Sequence, residues 1–406
     1  MNVYLVGGAL RDRLLGLDVK DRDFVVTGAT PDDLLKLGYK QVGRDFPVFL
    51  HPVSGEEYAL ARTERKHGTG HTGFTTRYDP AVTLEDDLAR RDLTINAIAE
   101  DEHGRLIDPY GGLADLEQRV LRHVTPAFDE DPLRVLRVAR FAARLAALGF
   151  TVAPETLDLM GAIAAGGELQ TLSAERVMQE LAAALMTARP SMFFEVLRDC
   201  RALAVLLPEI DALFGVPQRA AYHPEIDTGR HVMLALDLAA HENATLAVRY
   251  AVLLHDLGKA LTPQTAWPAH IGHERSGGPL VEAVGDRLRA PRALNDLAHL
   301  ACRWHLVLHQ GPRLSPASLL KVFTACDAWR RPKRFAELLA IAEYDARGRL
   351  GRQADPYPQR AFWLQALNVA AAVKPEPDAG GGAAIGQRLR LARAAALAAW
   401  KRTRQP

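Results

Sequence analysis

The sequence predicts an α+β protein, a small β-sheet head followed by all-helical segments, on three observations. Runs of β-branched and aromatic residues broken by Gly, Pro and Asp are confined to about the first hundred residues. From Asp131 onward, Leu, Ala and Arg recur at three- and four-residue spacing. At 406 residues the chain is also too long for one ordinary core, so two to four structural units are expected.

The strand-like runs are Val3 to Val6, Phe24 to Thr27, Phe46 to His51 and Glu57 to Arg62, and a helix begins near Ala9. Strands become scarce after Asp108. Leu133, Leu136, Val138, Phe141 and Leu145 mark the first long amphipathic helix. Ser173 opens another with Glu175 in its first turn, and Pro190 and Pro208 punctuate the next two segments. Thr228 to Trp329 is a His-rich helical stretch. Lys374 to Gly386, rich in Pro, Glu and Gly, reads as a loop or linker. These shifts divide the chain into a head (1–125), a helical neck and body (126–225), a His-rich domain (226–330) and a helical tail (331–406). There is no internal repeat.

Fifty Lys and Arg against 49 Asp and Glu give no molecule-wide field for nucleic acid, so any such site is local. Cys200, Cys302 and Cys326 form no CxxC pair, which argues against a disulfide framework or structural zinc and fits a reducing compartment. The segment after Met1 has no basic n-region or long apolar core, and no run of about 18 uncharged apolar residues follows. A cytoplasmic protein without a membrane partner is expected. Its oligomeric state is open between monomer and homodimer.

Gly7 and Gly8 follow the first strand, and Arg11 lies one turn into the next helix, an arrangement that lets backbone and a guanidinium approach phosphate. Asp21 and Asp23, two apart in extended chain, point to one face and can share one metal. Mg2+ takes oxygen ligands and keeps positions for substrate phosphates, so an acid pair beside a Gly-Gly loop suits nucleotidyl transfer. Glu57 offers a third carboxylate.

Gly7-Gly8-Ala9-Leu10-Arg11-Asp12, Leu15-Gly16 and Asp21-Arg22-Asp23 together resemble the first motif of class II tRNA nucleotidyltransferases, the CCA-adding enzymes. Arg90-Arg91-Asp92-Leu93-Thr94-Ile95-Asn96-Ala97 resembles their second motif, Asp108-Pro109-Tyr110-Gly111-Gly112 their flexible hinge, Glu130-Asp131-Pro132-Leu133-Arg134 their base-reading helix, and Ser173-Ala174-Glu175-Arg176 their fifth motif. The motifs occur in family order over residues 3 to about 210. The resemblance implies template-free addition of CCA to tRNA from CTP and ATP, with Arg91, Arg137 and Arg140 on the nucleotide's triphosphate and ribose.

Asp131 and Arg134, read as i and i+3 on one helix, offer one acceptor and one donor set at the same spot. Cytosine and adenine present an exocyclic amino donor beside a ring-nitrogen acceptor, whereas uracil and guanine present a carbonyl beside a ring N–H. The pair matches only the first set. A wrong base leaves both protein groups unpaired, which in such sites rejects analogues by roughly 10⁴-fold.

In the His-rich stretch, His231 precedes Leu253-Leu254-His255-Asp256-Leu257-Gly258-Lys259 by a couple of dozen residues. Adjacent His and Asp can share a divalent metal, with Lys259 a turn away for phosphate. This resembles the HD phosphohydrolase superfamily, whose pattern needs a later Asp; Asp327 is favoured over Asp345, and His273 and His305 are assigned to phosphate. The resemblance implies phosphatase, 2′-nucleotidase and 2′,3′-cyclic phosphodiesterase activity, and a softer metal such as Ni2+ suits the ligands.

Arg388, Arg390, Arg393, Lys401, Arg402 and Arg404 give the last helix a basic face without acids, read equally as an RNA-backbone contact or a solvated terminus. A poly(A) polymerase is the nearest rival, but the long basic extensions usual there are lacking.

Overall fold

Strand β1 (Asn2–Val6) runs into helix α1 (Gly8–Leu14), and β2 (Asp23–Thr27) lies antiparallel to β1 with Asp23 opposite Val6. This computed structural model describes residues 1–19, 21–42, 48–66, 74–374 and 382–404. Helix α2 (Pro31–Lys36) opens on a capping box: Asp33 accepts the Thr30 amide and Thr30 accepts the Asp33 amide. Strands β3 (Lys40–Val42), β4 (Val48–Leu50) and β5 (Glu57–Leu60) extend the sheet, and β5 runs parallel to β2 with Glu57 beside Asp23. Strands β6 (Arg62–Lys66) and β7 (Phe74–Tyr78) form a separate antiparallel ribbon.

Helix α3 (Leu84–Ala89) and strands β8 (Ala99–Glu100) and β9 (Leu106–Ile107) complete the sheet, in the order β3-β4-β5-β2-β1-β8-β9. The alternation of β2 covers both faces: Val25 packs with Val6, Leu88 and Ala99, while Val26 packs with Leu34, Phe49 and Leu60. All four strand-like runs thus form strands, with Phe46 and Pro47 lying outside the described residues.

Helix α4 (Gly112–Gln118) and strand β10 (Val120–Leu121) lead to α5 (Leu133–Leu145), then β11 (Thr151–Val152), which pairs parallel to β10. Val135, Leu136, Val138, Ala139 and Ala142 of α5 are buried, and Arg137, Arg140 and Arg144 occupy the opposite stripe at three- and four-residue steps. Helices α6 (Pro154–Ala165), α7 (Ala174–Leu185), α8 (Ser191–Asp199), α9 (Ala202–Leu206) and α10 (Pro208–Asp211) follow.

Residues 1–184 with 192–206 form one compact unit, and residues 185–191 with 207–406 a second. The second is helical: α11 (Thr228–His241), α12 (Leu246–Leu254), α13 (His273–Arg287), α14 (Arg292–His309), α15 (Pro316–Ala325), α16 (Pro332–Arg347), α17 (Pro358–Ala372) and α18 (Gly382–Arg402). Helix α12 is its centre, with Tyr250 to Leu254 fully buried against α11, α14 and α16. Trp363 is fully buried edge-on to Phe323 and Phe335, and its indole N–H donates to the Leu308 carbonyl.

Of the segment read as a linker, 375–381 lie outside the described residues, whereas 382–386 are the first turn of α18. The Leu and Ala pattern that follows extends the helix back over them, and Leu397 is fully buried. No helix among the described residues is long and apolar enough to cross a membrane.

Candidate active sites

In the first unit, strand register does the assembly. Val6 opposite Asp23 and Asp23 beside Glu57 put Gly7, Asp23 and Glu57 at one end of the sheet. Gly7 has φ 72, a backbone conformation that side-chain-bearing residues rarely adopt, and a Cβ there would press on Arg91 Nη1 at 3.1 Å. Asp21 is exposed, two residues before β2 rather than within it. The Asp23 carboxyl is pushed above its ordinary value by desolvation among crowded neighbours and by the charges of Glu57 and Asp21, with Arg91 pulling the other way. Asp23 and Glu57 on neighbouring strands, with Asp21 two residues before β2, offer the carboxylate oxygens that a divalent cation takes.

Beside them is a cavity of about 630 Å³ lined by nine arginines, from Arg11 to Arg176, and by Asp23, Asp92 and Asp131. One buried chain of hydrogen bonds fixes its wall. Arg11 Nη1 donates to Asn96 Oδ1 at 2.6 Å, Asn96 Nδ2 donates to Asp92 Oδ1 at 2.9 Å, and Arg137 Nε donates to Asp92 Oδ2 at 2.7 Å. Burial alone would raise the Asp92 carboxyl, but Arg137 and Asn96 hold it down at about 2. Arg91 donates to the Asn96 carbonyl and to Asp87, and Arg140 to Glu180. Phe141 carries Arg11 and Arg140 on its ring, with guanidinium carbons 4.9 and 4.5 Å from the centroid. The pocket therefore holds a surplus of fixed cations, the electrostatics a triphosphate requires.

Asp131 and Arg134 both line this cavity, but Asp131 is not on the helix as the sequence suggested. It has extended backbone, and Pro132 caps α5. The reason is local: proline disfavours α geometry in the residue before it, and Asp131 Oδ1 instead accepts the Leu133 amide at 3.1 Å. Asp131 Oδ2 accepts from Arg176 at 2.8 Å. Arg134 is held separately, donating to the carbonyls of Ala127 at 2.7 Å and Arg90 at 2.8 Å. Sequence reasoning passed over Arg144, which continues the Arg137 and Arg140 stripe and donates to Asp12 at 2.6 Å; its spacing was the available signal.

In the second unit the His-Asp pair sits at the end of α12. His231 from α11, His255 and Asp345 from α16 converge, with His231 Nε2 3.1 Å and His255 Nε2 3.8 Å from Asp345 Oδ1, and all three are buried. Asp256 Oδ2 lies 3.2 Å from His255 Nε2 and accepts from Lys259 at 2.6 Å. Burial opposes the charge on His255, yet Asp256 and Asp345 raise its imidazole to about 10; His255 in turn, with Lys259 beside Asp256 and with His231 and His309 beside Asp345, holds both aspartates well below the usual carboxylate range despite burial.

The expectation for Asp327 is corrected. Its carboxylate is gripped by both arms of Arg330, at 2.9 Å each, in the positive-φ turn after α15, and none of its described contacts is a histidine. Asp345 takes the place because α16 packs against α11, α12 and α14, the helices that carry the histidines, and it lies beyond the 330 boundary drawn from composition. His273 and His305, assigned to phosphate, have their Nε2 atoms 3.3 and 3.6 Å from Asp256 Oδ1. Two partners escaped the sequence altogether. Glu225 Oε1 lies 2.9 Å from His231 Nδ1, and His309 contacts Asp345 Oδ2 at 2.7 Å and the Tyr357 hydroxyl at 2.9 Å. Glu225 orients the ring that faces Asp345, as carboxylates behind metal-binding histidines do. A cavity of about 930 Å³ lined by Lys259, His273, His309 and Arg349 adjoins the cluster.

Residues 3–122 match the family described as poly A polymerase head domain, and 149–214 the probable RNA and SrmB binding site of polymerase A. The whole chain is 58% identical to a "Multifunctional CCA protein" of Pseudomonas aeruginosa strain LESB58, covering 99% of it, and 57% identical to one of Pseudomonas fluorescens, covering all of it. Among solved structures, a CCA-adding enzyme in complex with CTP (TM-score 0.65, 20% identity) and the Thermotoga maritima CCA-adding enzyme complexed with tRNA (TM-score 0.62, 20% identity) each align with 98% of this chain and 87% of their own, a likeness of fold.

Proposed function

The chain belongs to the multifunctional CCA proteins, CCA-adding tRNA nucleotidyltransferases, and from that membership we propose which residues carry the transfer and that a second, hydrolytic activity resides in the histidine cluster. CTP and ATP enter the arginine-lined cavity with their triphosphate on Arg91, Arg137 and Arg140, beside Gly8 and Arg11. Asp21 and Asp23, with Glu57 adjacent, hold Mg2+, which when bound lowers the pKa of an attacking hydroxyl and neutralises charge on the phosphates. The tRNA 3′ oxygen attacks the α-phosphate and pyrophosphate leaves. Asp131 and Arg134 present acceptor and donors to the base edge, Asp131 steadied by the Leu133 amide and Arg176, and Arg134 by the Ala127 and Arg90 carbonyls.

The observation that carries the transferase assignment is the register of β1, β2 and β5, which brings Asp23, with Glu57 beside it, to the arginine cavity. Incubating the protein with tRNA lacking its 3′ end, Mg2+ and each labelled nucleotide tests it. C addition followed by one A and a stop is expected from the wild type, and none from Asp21→Ala or Asp23→Ala. Incorporation at wild-type rate in those variants overturns the assignment.

His231, His255, Asp256 and Asp345 supply a buried nitrogen and oxygen set that fits a divalent transition metal, Ni2+ included, and the cationic cavity beside it fits a phosphoester. We assign to it phosphatase, 2′-nucleotidase and 2′,3′-cyclic phosphodiesterase activity. His255→Ala is expected to lose metal-dependent phosphatase activity and keep CCA addition; retained phosphatase in a folded variant refutes it.

A further inference from the structure

We propose that Gln218 and Arg349 bind the substrate of the second unit's site, donating hydrogen bonds to the non-bridging oxygens of a phosphomonoester or cyclic phosphodiester, an inference that rests on the hydrolytic reading above.

Donors that the fold leaves over carry it. Gln218 is 4% exposed and lines the cavity of about 930 Å³. Its backbone is pinned on both sides: the Gln218 amide donates to the Ile226 carbonyl at 2.7 Å, and the Pro217 carbonyl accepts from His270 Nε2 at 2.8 Å. The side-chain amide has one orientation open to it, because Lys259 Nζ, which can only donate, lies 2.5 Å away and must be met by the oxygen, Oε1. Nε2 is therefore the free end. It is buried and has no hydrogen-bond partner among the described residues, so two N–H protons are left without an acceptor.

Arg349 repeats the pattern on the Asp345 side of the cluster. It follows Gly348, where a Cβ would stand 2.3 Å from the Ala235 Cα, so the end of α16 sits directly on α11 and fixes where the Arg349 side chain begins. Arg349 Nη1 donates to the Tyr222 carbonyl at 3.2 Å, and Nη2 lies 3.7 Å from Asp345 Oδ1. The buried Nε–H has no partner among the described residues. Lys259 adds one more donor, since Asp256 and Gln218 accept only two of its three protons. Gln218 and Lys259 thus stand beside Asp256, and Arg349 beside Asp345, all of them lining one cavity. A buried donor without an acceptor loses its full desolvation free energy. The ligand that recovers it here offers several oxygens and negative charge, which describes a phosphate ester. Tyr222, Ile271 and Leu306 are exposed on the same cavity and give the rest of a nucleotide an apolar wall.

The test measures steady-state hydrolysis of adenosine 2′-phosphate and of p-nitrophenyl phosphate by the full chain loaded with Ni2+. Gln218→Met and Arg349→Lys are each expected to raise KM for both substrates about tenfold with kcat and bound metal little changed, the signature of a lost hydrogen bond to a charged ligand. Gln218→Glu keeps the acceptor for Lys259 but turns a carboxylate towards the phosphate, and should raise KM further; it also serves if the methionine variant does not fold. Unchanged KM in folded variants overturns the proposal and leaves the hydrolytic reading standing. So does a loss confined to adenosine 2′-phosphate, which would put the contact on the ribose, or a loss of kcat that follows loss of metal. Absence of hydrolysis by the metal-loaded wild type overturns both.

Discussion

At the scale of single residues, two aspartates of the arginine-lined cavity are shifted in opposite directions. Asp92 is buried and held at about 2 by Arg137 and Asn96. Its folded pKa lies below the usual 3.8, so its stabilisation is present above about pH 4 and is lost as pH falls through about 2. The difference corresponds to about 2 kcal/mol. Denaturant melts between pH 5 and 2 should show a steeper loss in wild type than in Asp92→Asn; equal slopes would discard the link. Asp23 is shifted the other way, and added Mg2+ should bring its titration down, measurable by carboxyl NMR shifts. Arg176 acts through Asp131 Oδ2. Arg176→Ala is expected to relax discrimination against UTP and GTP by about tenfold, the worth of one charged hydrogen bond, and Arg176→Lys to restore part of it. A uniform rise in KM for all four nucleotides would instead mark Arg176 as a phosphate contact.

Elements decide where those residues meet. Helix α5 was legible from its period alone, and so was its arginine stripe, because one face had to be apolar and the other was free to carry charge. Its start was misplaced by two residues, since Pro132 pushes Asp131 into extended backbone and a period cannot register a cap. The turn between α12 and α13 is governed by contact. Gly258→Ala forces a methyl against the His273 carbonyl, and we expect about 1–3 kcal/mol of destabilisation together with weakened metal binding, read from thermal melts with and without Mn2+. An unchanged melt would show that the turn can relax. In and just after α18, Lys401 donates to the carbonyls of Pro312 and Leu314, and Arg393 covers the Trp329 ring at 4.2 Å, whereas Arg388, Arg390, Arg402 and Arg404 are exposed. If the tail contacts tRNA, the four exposed arginines should matter: replacing them with Ala should raise the KM for tRNA and flatten its salt dependence, whereas Arg393→Ala should chiefly lower stability.

At the scale of the whole molecule, each of the two proposed sites lies within one compact unit. The cavity residues of the transferase all fall within 1–184, and the histidine cluster draws only on residues beyond 207. Each site's ligands come from strands or helices that share one core, so substitutions in one should leave the other's geometry intact. This is the physical basis for expecting His255→Ala to spare CCA addition. Measured loss of both activities in a folded His255→Ala protein would reveal coupling.

What the sequence determined by itself was carried by local order: the α+β class, strands β1 and β2, the Gly7-Gly8 turn after β1, the arginine stripe of α5 and the His255-Asp256 pair. Each is a pattern over a few residues, and backbone periodicity converts such a pattern directly into a shared face. The tertiary structure alone decided which distant groups complete a site. Asp345 rather than Asp327 joins His231, more than a hundred positions away in the chain, because α16 packs on the histidine helices while Asp327 closes a salt-bridged turn. Spacing along the chain carries no information about that choice, since helix packing sets the ligand's position and sequence distance does not.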